Sequence, residues 1–309
     1  MNFNVNMQTQ ARFKLVKGKQ STGEITQETP EFCNLVLDQG LVRMFVGAWS
    51  GVCQVGSGSS TPTPSQTQLD NKVAHTSTWR DRTTGVNIDD GYYWGRETYR
   101  FNAGVATGNL SEIALGWSTG STDIWNRSLI KDINGDPTTI TVAADEFLDV
   151  FVEYRLYVPK SFTGDFNLLD KNNNIISSHT FRAAPKLVSS PFYTQKIDMF
   201  GASGGAFPIY TGDLPTSPTA DPTGNWSTTF STKSVTVTGL GEITGTVNLG
   251  LDDANISHRT IAITTFGFMS TSTSAYRYYV EMTPPINLKT NERTMSYTFK
   301  YKIERYTGE

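Results

Sequence analysis

Two segments of the chain carry an apolar residue at every second position. In residues 147–158 the even positions carry Leu, Val, Val, Tyr, Leu and Val, while Asp149, Glu153 and Arg155 stand at odd positions. In residues 295–303 the odd positions carry Met, Tyr, Phe, Tyr and Ile. A period of two places alternate side chains on opposite faces of a β-strand. Both segments are therefore predicted to be strands with one buried face.

The rest of the chain has the same character. Weaker alternations occur in residues 12–16, 98–105, 112–117, 234–240, 246–251, 260–268 and 276–282. Clusters of Gly, Pro, Asn and Asp, as in residues 132–137 and 213–225, separate these segments and are typical of strand reversals. Residues 31–44 follow Pro30 and have a roughly helical spacing of apolar residues. They are predicted to form a short helix.

A set of sequence patterns occurs twice in the same order. The segments that begin at Met44 and Met199 both open with Met-Phe and reach a Pro- and Thr-rich loop, which in the first copy follows Cys53. Three further pairs of similar segments begin at Ser111 and Arg259, at Asp136 and Pro284, and at Leu148 and Met295. The repeated order predicts two divergent copies of one β-rich unit. Chance agreement between strand patterns is the alternative.

These patterns together predict an all-β fold. It is expected to contain two related β-sandwich-like domains in tandem, preceded by an N-terminal strand arm and one short helix. The predicted divisions are the arm with the short helix (residues 1–42), β domain 1 (43–159), a connecting hairpin segment (160–198) and β domain 2 (199–309), a divergent copy of domain 1.

The charge and hydropathy of the chain argue against several classes of partner. The net charge is −3 and the basic residues are scattered, so binding to nucleic acid is not expected. No apolar run approaches the roughly 18 residues of a membrane span, and the N-terminus lacks an apolar signal segment, so membrane insertion is not expected. Cys33 and Cys53 are expected to be reduced thiols rather than a disulfide, as in a cytoplasmic protein.

The motifs that could carry chemistry are incomplete. Residues 201–205 match G-x-S-x-G around Ser203, but the sequence that follows cannot form the helix of a nucleophile elbow. Residues 170–174 resemble the start of a calcium loop without its closing Gly and Glu, and are predicted to be a hairpin turn. The histidines have no Cys or Glu at ligand spacing. We therefore expect no catalytic residue, no metal and no cofactor.

The segment Asp-Asp-Gly-Tyr-Tyr-Trp-Gly-Arg holds three consecutive aromatic residues, Tyr92, Tyr93 and Trp94, between polar neighbours. Such aromatic residues fill cores, anchor subunit interfaces or form platforms for sugars. They are therefore candidate interface or glycan contacts, and packing in the core is the third possibility.

The N-terminal arm has its own apolar pattern. Phe3, Val5 and Met7 alternate with polar residues, which suits a strand that adds to the exposed edge of another sheet. An arm of this length cannot form its own core, so it must pack on its own chain or on a neighbour. We expect these three side chains to be assembly contacts with an adjacent subunit or with another protein of the same assembly.

Several motifs in the first half resemble a family of bacteriophage virion proteins. They are ARFKLVKGKQSTGEITQETPEFCNLVLDQGLVRM from Ala11, the loop at residues 55–69, NLSEIALGW from Asn109, and NRSLIKDINGDPTTITVAADEFLDV from Asn126. The resemblance covers about residues 11–185. Proteins with this series of motifs are usually described as tail or tail-fibre structural components. The family has no catalytic residues to transfer to this sequence.

The resemblance implies a structural component of a bacteriophage virion, in the tail fibre, the fibre attachment or the tail tip, that acts by symmetric assembly. Its expected partners are identical copies and other phage tail or connector proteins, and its expected location is the virion tail after synthesis in the host cytoplasm. One alternative is a receptor-binding protein that holds a host surface glycan. Another is an enzyme such as a depolymerase, although no pair of facing carboxylates stands out among the 29 acidic residues.

Overall fold

The computed structural model describes residues 2–120, 122–187, 196–197, 199–200, 207–264, 277–287 and 289–308. The fold is all-β, with 55% of the described residues in strands and 3% in one helix, which confirms the predicted fold class. The first elements are β1 (Asn2–Lys19), β2 (Ile25–Glu28), β3 (Phe32–Cys33), β4 (Leu35–Val36), α1 (Asp38–Val46), β5 (Val52–Gly56), β6 (Lys72–Thr76), β7 (Trp79–Asn87), β8 (Tyr92–Phe101), β9 (Gly108–Leu110), β10 (Glu112–Gly116), β11 (Asn126–Leu129), β12 (Ile140–Val142) and β13 (Glu146–Tyr157). The remaining elements are β14 (Phe162–Leu169), β15 (Ile175–Pro185), β16 (Ile209–Tyr210), β17 (Trp226–Ser227), β18 (Thr232–Gly239), β19 (Glu242–Leu249), β20 (His258–Thr264), β21 (Arg277–Ile286) and β22 (Met295–Arg305).

The chain divides into two compact units, and each draws on distant parts of the sequence. Unit 1 comprises Met1–Met7, Val86–Tyr92 and Tyr157–Ile303. Unit 2 comprises Gln8–Gly85, Tyr93–Leu156 and Glu304–Glu309. The predicted division into four consecutive segments is therefore corrected. The arm is not a separate segment because β1 is hydrogen-bonded within the sheets, and the connecting hairpin β14–β15 belongs to unit 1 because β15 pairs with β21.

Unit 2 is built from two main sheets. One has the strand order β1-β13-β8-β7, with β2 and β3 also paired to β1, and the other has the order β4-β11-β10-β5-β6. Trp125 packs between them, with its ring 6.0 Å from that of Trp49 and 6.5 Å from that of Tyr154. The large apolar groups that the alternating strands supply therefore meet in one core.

Unit 1 also has two sheets that share an aromatic core. One has the strand order β18-β19-β22-β1, and the other has the order β14-β15-β21-β20-β16-β17. Phe3 of β1 lies 5.1 Å from both Phe162 and Phe181 of the second sheet, measured between ring centroids. Phe207 lies 5.6 Å from Phe299 by the same measure.

The two units share one strand order. In unit 2, β13 is followed across the sheet by β8 and β7, and in unit 1, β22 is followed by β19 and β18. In the second sheets, the order β11-β10-β5-β6 corresponds to β21-β20-β16-β17. Two of the four pairs of segments recognised in the sequence fall on corresponding strands, β10 with β20 and β13 with β22. This order agrees with a duplication, which stays a prediction.

The helix is shorter than predicted. It spans Asp38–Val46, whereas the first residues of the predicted helix form β3 and β4, which pair with β1 and β11. Pairing with neighbouring strands outweighs the local helical pattern there. Within α1, a Cβ at Gly40 would lie 2.1 Å from the carbonyl oxygen of Trp125, so glycine permits the close approach. Within the described ranges, no helix is long and apolar enough to cross a membrane.

Candidate functional site

The Pro- and Thr-rich connection between β5 and β6 is fixed by a buried carboxylate. Glu112 of β10 is fully buried. One of its carboxylate oxygens accepts hydrogen bonds from the backbone N–H groups of Gly58 and Asn71, each at 2.8 Å. The other accepts from the N–H of Asp70 at 3.1 Å and from the Nε–H of Arg127 at 2.9 Å. The loop is therefore tied down at both of its ends.

Arg127 of β11 completes this network. Its side chain is also fully buried, and its guanidinium lies 2.7 Å from a carboxylate oxygen of Asp70. It donates further hydrogen bonds to the hydroxyl of Ser60 at 3.3 Å and to the side-chain oxygen of Gln66 at 3.0 Å. Charged groups this deeply buried are stable only when they are paired and hydrogen-bonded. The buried pair therefore sets the conformation of residues 57–71, and its role is structural.

The three consecutive aromatic residues do not form one platform. Tyr93 is 1% exposed and belongs to the core, as one of the sequence alternatives proposed. Tyr92 is half-buried, lies 5.0 Å from the ring of Tyr157 and accepts a hydrogen bond from Asn87 at 3.3 Å. Trp94 is half-buried beneath the guanidinium of Arg96, at 4.6 Å. Because strand residues alternate between faces, the sequence run divides between the core and the surface.

The predicted assembly contacts of the arm are corrected. Phe3 and Val5 are each 1% exposed and Met7 is fully buried, all within their own chain. The arm forms the start of β1, which lies next to β22 inside a sheet rather than beyond its edge. Of the two possibilities that the sequence left for the arm, packing on its own chain is the one observed.

A cleft of about 500 Å³ lies on the outer face of the main sheet of unit 2. Phe151 of β13 is 41% exposed at this surface. Arg12 of β1 also lines the cleft, and its Nε atom is buried without a hydrogen-bond partner. Most buried polar groups in proteins are hydrogen-bonded, and this nitrogen is one of the few buried side-chain atoms in the described residues that has no partner.

The edge strand β18 of unit 1 presents a second candidate surface. All eight of its residues, Thr232–Gly239, are exposed. In the described part of the chain it pairs with β19 alone, so its other edge has backbone N–H and C=O groups without a strand partner. Val235 and Val237 are 43% and 40% exposed although they stand opposite Gly245 and Ile243 of β19. An uncovered edge of this kind is a template for strand addition.

The weaker motifs have structural explanations where they are described. Asp170 closes the β14–β15 hairpin by accepting hydrogen bonds from the N–H groups of Asn172 and Asn174, each at 2.8 Å, which confirms the predicted turn. Cys33 and Cys53 are free thiols, as predicted, and burial raises the pKa of the Cys53 thiol well above its usual value. Ser203 and its glycines lie outside the described residues. Among the described side chains, no three His, Cys, Asp or Glu residues are grouped to hold a metal ion.

His258 is a fully buried histidine in unit 1. Its Nε2 lies 2.9 Å from the carbonyl oxygen of Ala254, and its Nδ1 lies 2.6 Å from the hydroxyl of Tyr297. A carbonyl only accepts, so Nε2 carries the proton and Nδ1 accepts from the tyrosine. Burial lowers the pKa of His258 from 6.5 to about 4, and Lys289 acts in the same direction. The ring is therefore a neutral part of the core.

We expect acid to destabilise unit 1 through His258. The unfolded chain binds a proton near pH 6.5 and the folded chain near pH 4, so the free energy of unfolding falls as the pH decreases through this window. The full shift corresponds to about 3 kcal/mol. Urea unfolding at several pH values should show a weaker pH dependence in His258→Gln than in the unchanged protein. The exposed His75→Gln serves as the control, and equal pH dependence in all three proteins would contradict this role.

No protein-family model, curated protein or solved structure matches this chain.

Sequence reasoning missed the residues that hold the loop of residues 57–71 and those that form the two candidate surfaces. Glu112 and Arg127 stand inside apolar strands, in SEIALGW and IWNRSLI, and charged residues in such positions are a signal of a buried pair. Arg12 gave a weaker signal, because a basic residue on the polar side of an alternating strand is normally solvated. Nothing in the alternation of β18 showed that Val235 and Val237 would be exposed among the described residues.

Proposed function

We propose that this chain is a structural component of a bacteriophage virion, part of the tail (tail fibre, fibre attachment or tail tip), that acts by assembly with identical copies and without catalysis. The resemblance of residues 11–185 to phage tail proteins supports the proposal. The observation that carries it is the edge of β18 that no described strand covers, because a strand edge recognises a partner through backbone hydrogen bonds and needs no chemical site.

The sequence of β18 suits pairing with a second copy of itself. Thr-Lys-Ser-Val-Thr-Val-Thr-Gly is rich in β-branched residues, contains no proline and has one charge, Lys233. In an antiparallel pair centred on Thr236 of both copies, Val235 stands opposite Val237 and Lys233 stands opposite Gly239. The valines cover each other and the two lysines are kept apart. Such a pair has two-fold symmetry, as expected of a contact between identical subunits.

The turn that ends β18 leaves this edge accessible. Leu240 and Gly241 connect β18 directly to β19, and Gly241 has a φ of 63°, in the left-handed region that glycine adopts readily. A tight turn adds no bulky segment beside the free edge. The hairpin therefore projects its outer strand to solvent.

Charge placed on this edge should prevent assembly. In the double variant Val235→Lys plus Val237→Lys, lysines of the two copies face each other and repel. We expect the dissociation constant of the oligomer, measured by sedimentation velocity, to rise at least about tenfold, or about 1.4 kcal/mol. Thermal unfolding should change little because both positions are exposed. Ile133→Lys, at an 83% exposed loop position of unit 2, provides the control. If the oligomer has the same dissociation constant in all three proteins, this edge is not the contact between subunits.

The virion role has a separate test. Phage particles produced from a genome that encodes this chain should retain it through density-gradient purification, in several copies per particle by quantitative mass spectrometry. Loss of the chain from intact particles would contradict a structural role, whatever the oligomeric state of the isolated protein.

Binding of a host glycan is the second candidate function. It is favoured by the cleft in unit 2, where the exposed ring of Phe151 lies among charged side chains such as Arg96 and Glu153. An apolar ring beside a convergent polar group is a common arrangement in ligand sites.

A further inference from the structure

A second cleft, of about 310 Å³, lies in unit 1 beside the turn of residues 214–218. Its walls also include the end of β15 and the segment that joins β13 to β14. Apolar residues make up most of the lining, and those that solvent reaches include Ile88, Pro215 and Pro218. Its volume lies at the lower end of the range of small-molecule sites. The cleft therefore offers apolar surface to a ligand of modest size.

The turn that forms one wall of this cleft is held in place at both of its ends. The carbonyl oxygen of Pro218 accepts a hydrogen bond from the N–H of Leu187, just after β15, at 2.7 Å. At the start of the turn, the N–H of Leu214 donates to a carboxylate oxygen of Glu281 at 3.3 Å. Pro215 and Pro218 also restrict the backbone, because their rings fix φ. The wall is formed before a ligand arrives, so binding requires little ordering of the protein.

The charged groups that line the cleft of unit 1 are cationic. Lys160 and Arg182 are among its lining residues, and no carboxylate residue of the described chain is. Both cationic residues are exposed, so a ligand in the cleft can reach them. Ser161, Thr216 and Ser217 add exposed hydroxyl groups to the same lining. This composition favours a ligand with negative charge.

One of the two positive charges is not balanced by an acid. Arg182 lies 3.2 Å from a carboxylate oxygen of Glu281, so its charge is already paired. Lys160 donates a hydrogen bond to the backbone carbonyl oxygen of Asp89, and within the described part of the chain its ammonium group has no ion pair. A carbonyl oxygen accepts a proton without bringing a full charge. A ligand with one negative charge would supply the missing partner.

We propose that the cleft of unit 1 binds a small organic carboxylate with an apolar body, and that Lys160 pairs with the carboxylate. The apolar body packs against Ile88 and Pro218, and the hydroxyl of Ser161 is available as a further donor. Inorganic phosphate fits less well, because it has no apolar part and carries more negative charge than Lys160 balances. This inference goes beyond the proposed function, and it does not depend on the pairing of β18.

The test separates the contributions of the charge and of the apolar body. Binding of benzoate, benzyl alcohol, acetate and inorganic phosphate to the full chain is measured by titration calorimetry and saturation-transfer NMR. Benzyl alcohol has the ring without the charge, whereas acetate and phosphate have charge without the ring. We expect benzoate to bind at least about tenfold more tightly than each of the other three, and Lys160→Gln to weaken benzoate binding by at least about tenfold. The affinity for benzyl alcohol should not change in this variant.

Lys171→Gln is the matched control, because it removes a positive charge from an exposed turn of the same unit outside the cleft. It should leave benzoate binding unchanged. Thr216→Glu places a carboxylate at the cleft and should also weaken benzoate binding, so it decides the matter if Lys160→Gln does not fold. All three positions are exposed, and thermal unfolding should change little.

Three results would overturn the proposal. They are absence of benzoate binding at millimolar concentrations, binding of benzyl alcohol, acetate or phosphate as tight as that of benzoate, and unaltered benzoate affinity in a folded Lys160→Gln protein. Benzoate should bind equally to the unchanged protein and to Val235→Lys plus Val237→Lys, since those positions do not line the cleft. Failure of the assembly proposal would therefore leave this test unaffected.

Discussion

Glu112→Gln should destabilise unit 2 by about 3–5 kcal/mol although the replacement has the same shape. All four groups around this carboxylate are donors: the N–H groups of Gly58, Asp70 and Asn71, and Arg127. An amide has one acceptor oxygen, so its NH₂ group must face donors, and the buried guanidinium of Arg127 loses a paired charge. Chemical denaturation gives the free energy, and limited proteolysis should show new cleavage within residues 57–71.

The matched control is Glu24→Gln, the same substitution at an exposed turn of unit 2. It should lie within about 0.5 kcal/mol of the unchanged protein. If Glu112→Gln is as stable as the control and its loop stays protected, the buried pair does not hold the loop, and the connection between β5 and β6 is fixed by other contacts.

Phe3→Ala should cost about 3–5 kcal/mol of the stability of unit 1. The ring is 1% exposed and packs among Phe162, Phe181, Tyr278 and Phe299, so its removal leaves a cavity in an aromatic core. The sequence pattern alone favoured a contact with a neighbouring subunit, for which the same substitution would weaken assembly and leave the fold intact. Thermal unfolding below the dissociation constant of the oligomer separates these outcomes.

Asn4→Ala, one residue along β1 and exposed, is the control for this effect and should be nearly neutral. If Phe3→Ala leaves the unfolding temperature unchanged and weakens association of the oligomer, the arm is an assembly contact. That result would contradict its burial in unit 1.

The strand pattern was predictable where one face of a strand is buried. The alternations at residues 147–158 and 295–303 became β13 and β22. They were predictable because a strand with one buried face carries apolar residues at every second position.

The helix and the segment boundaries were not predictable in this way. The residues of β3 and β4 have a helical spacing, and only their pairing with β1 and β11 makes them extended. The position of β1 inside a sheet depends on strands more than 100 residues away.

The candidate site was less accessible to sequence reasoning than the fold. Tyr92, Tyr93 and Trp94 were recognised as a group, but only the register of β8 determines which of them enters the core. The edge of β18 gains its significance because no strand among the described residues covers it. Such properties belong to the arrangement of elements in space and have no local signature.

Hydrogen exchange at the backbone of β18 tests the assembly account most directly. The amides of Thr232–Gly239 are followed by mass spectrometry in the unchanged protein across a range of concentrations. Pairing of this edge with a second copy predicts that their protection increases with protein concentration, in step with the oligomer fraction, and that Val235→Lys plus Val237→Lys removes the increase. Oligomers that form while exchange in β18 stays the same would contradict the account.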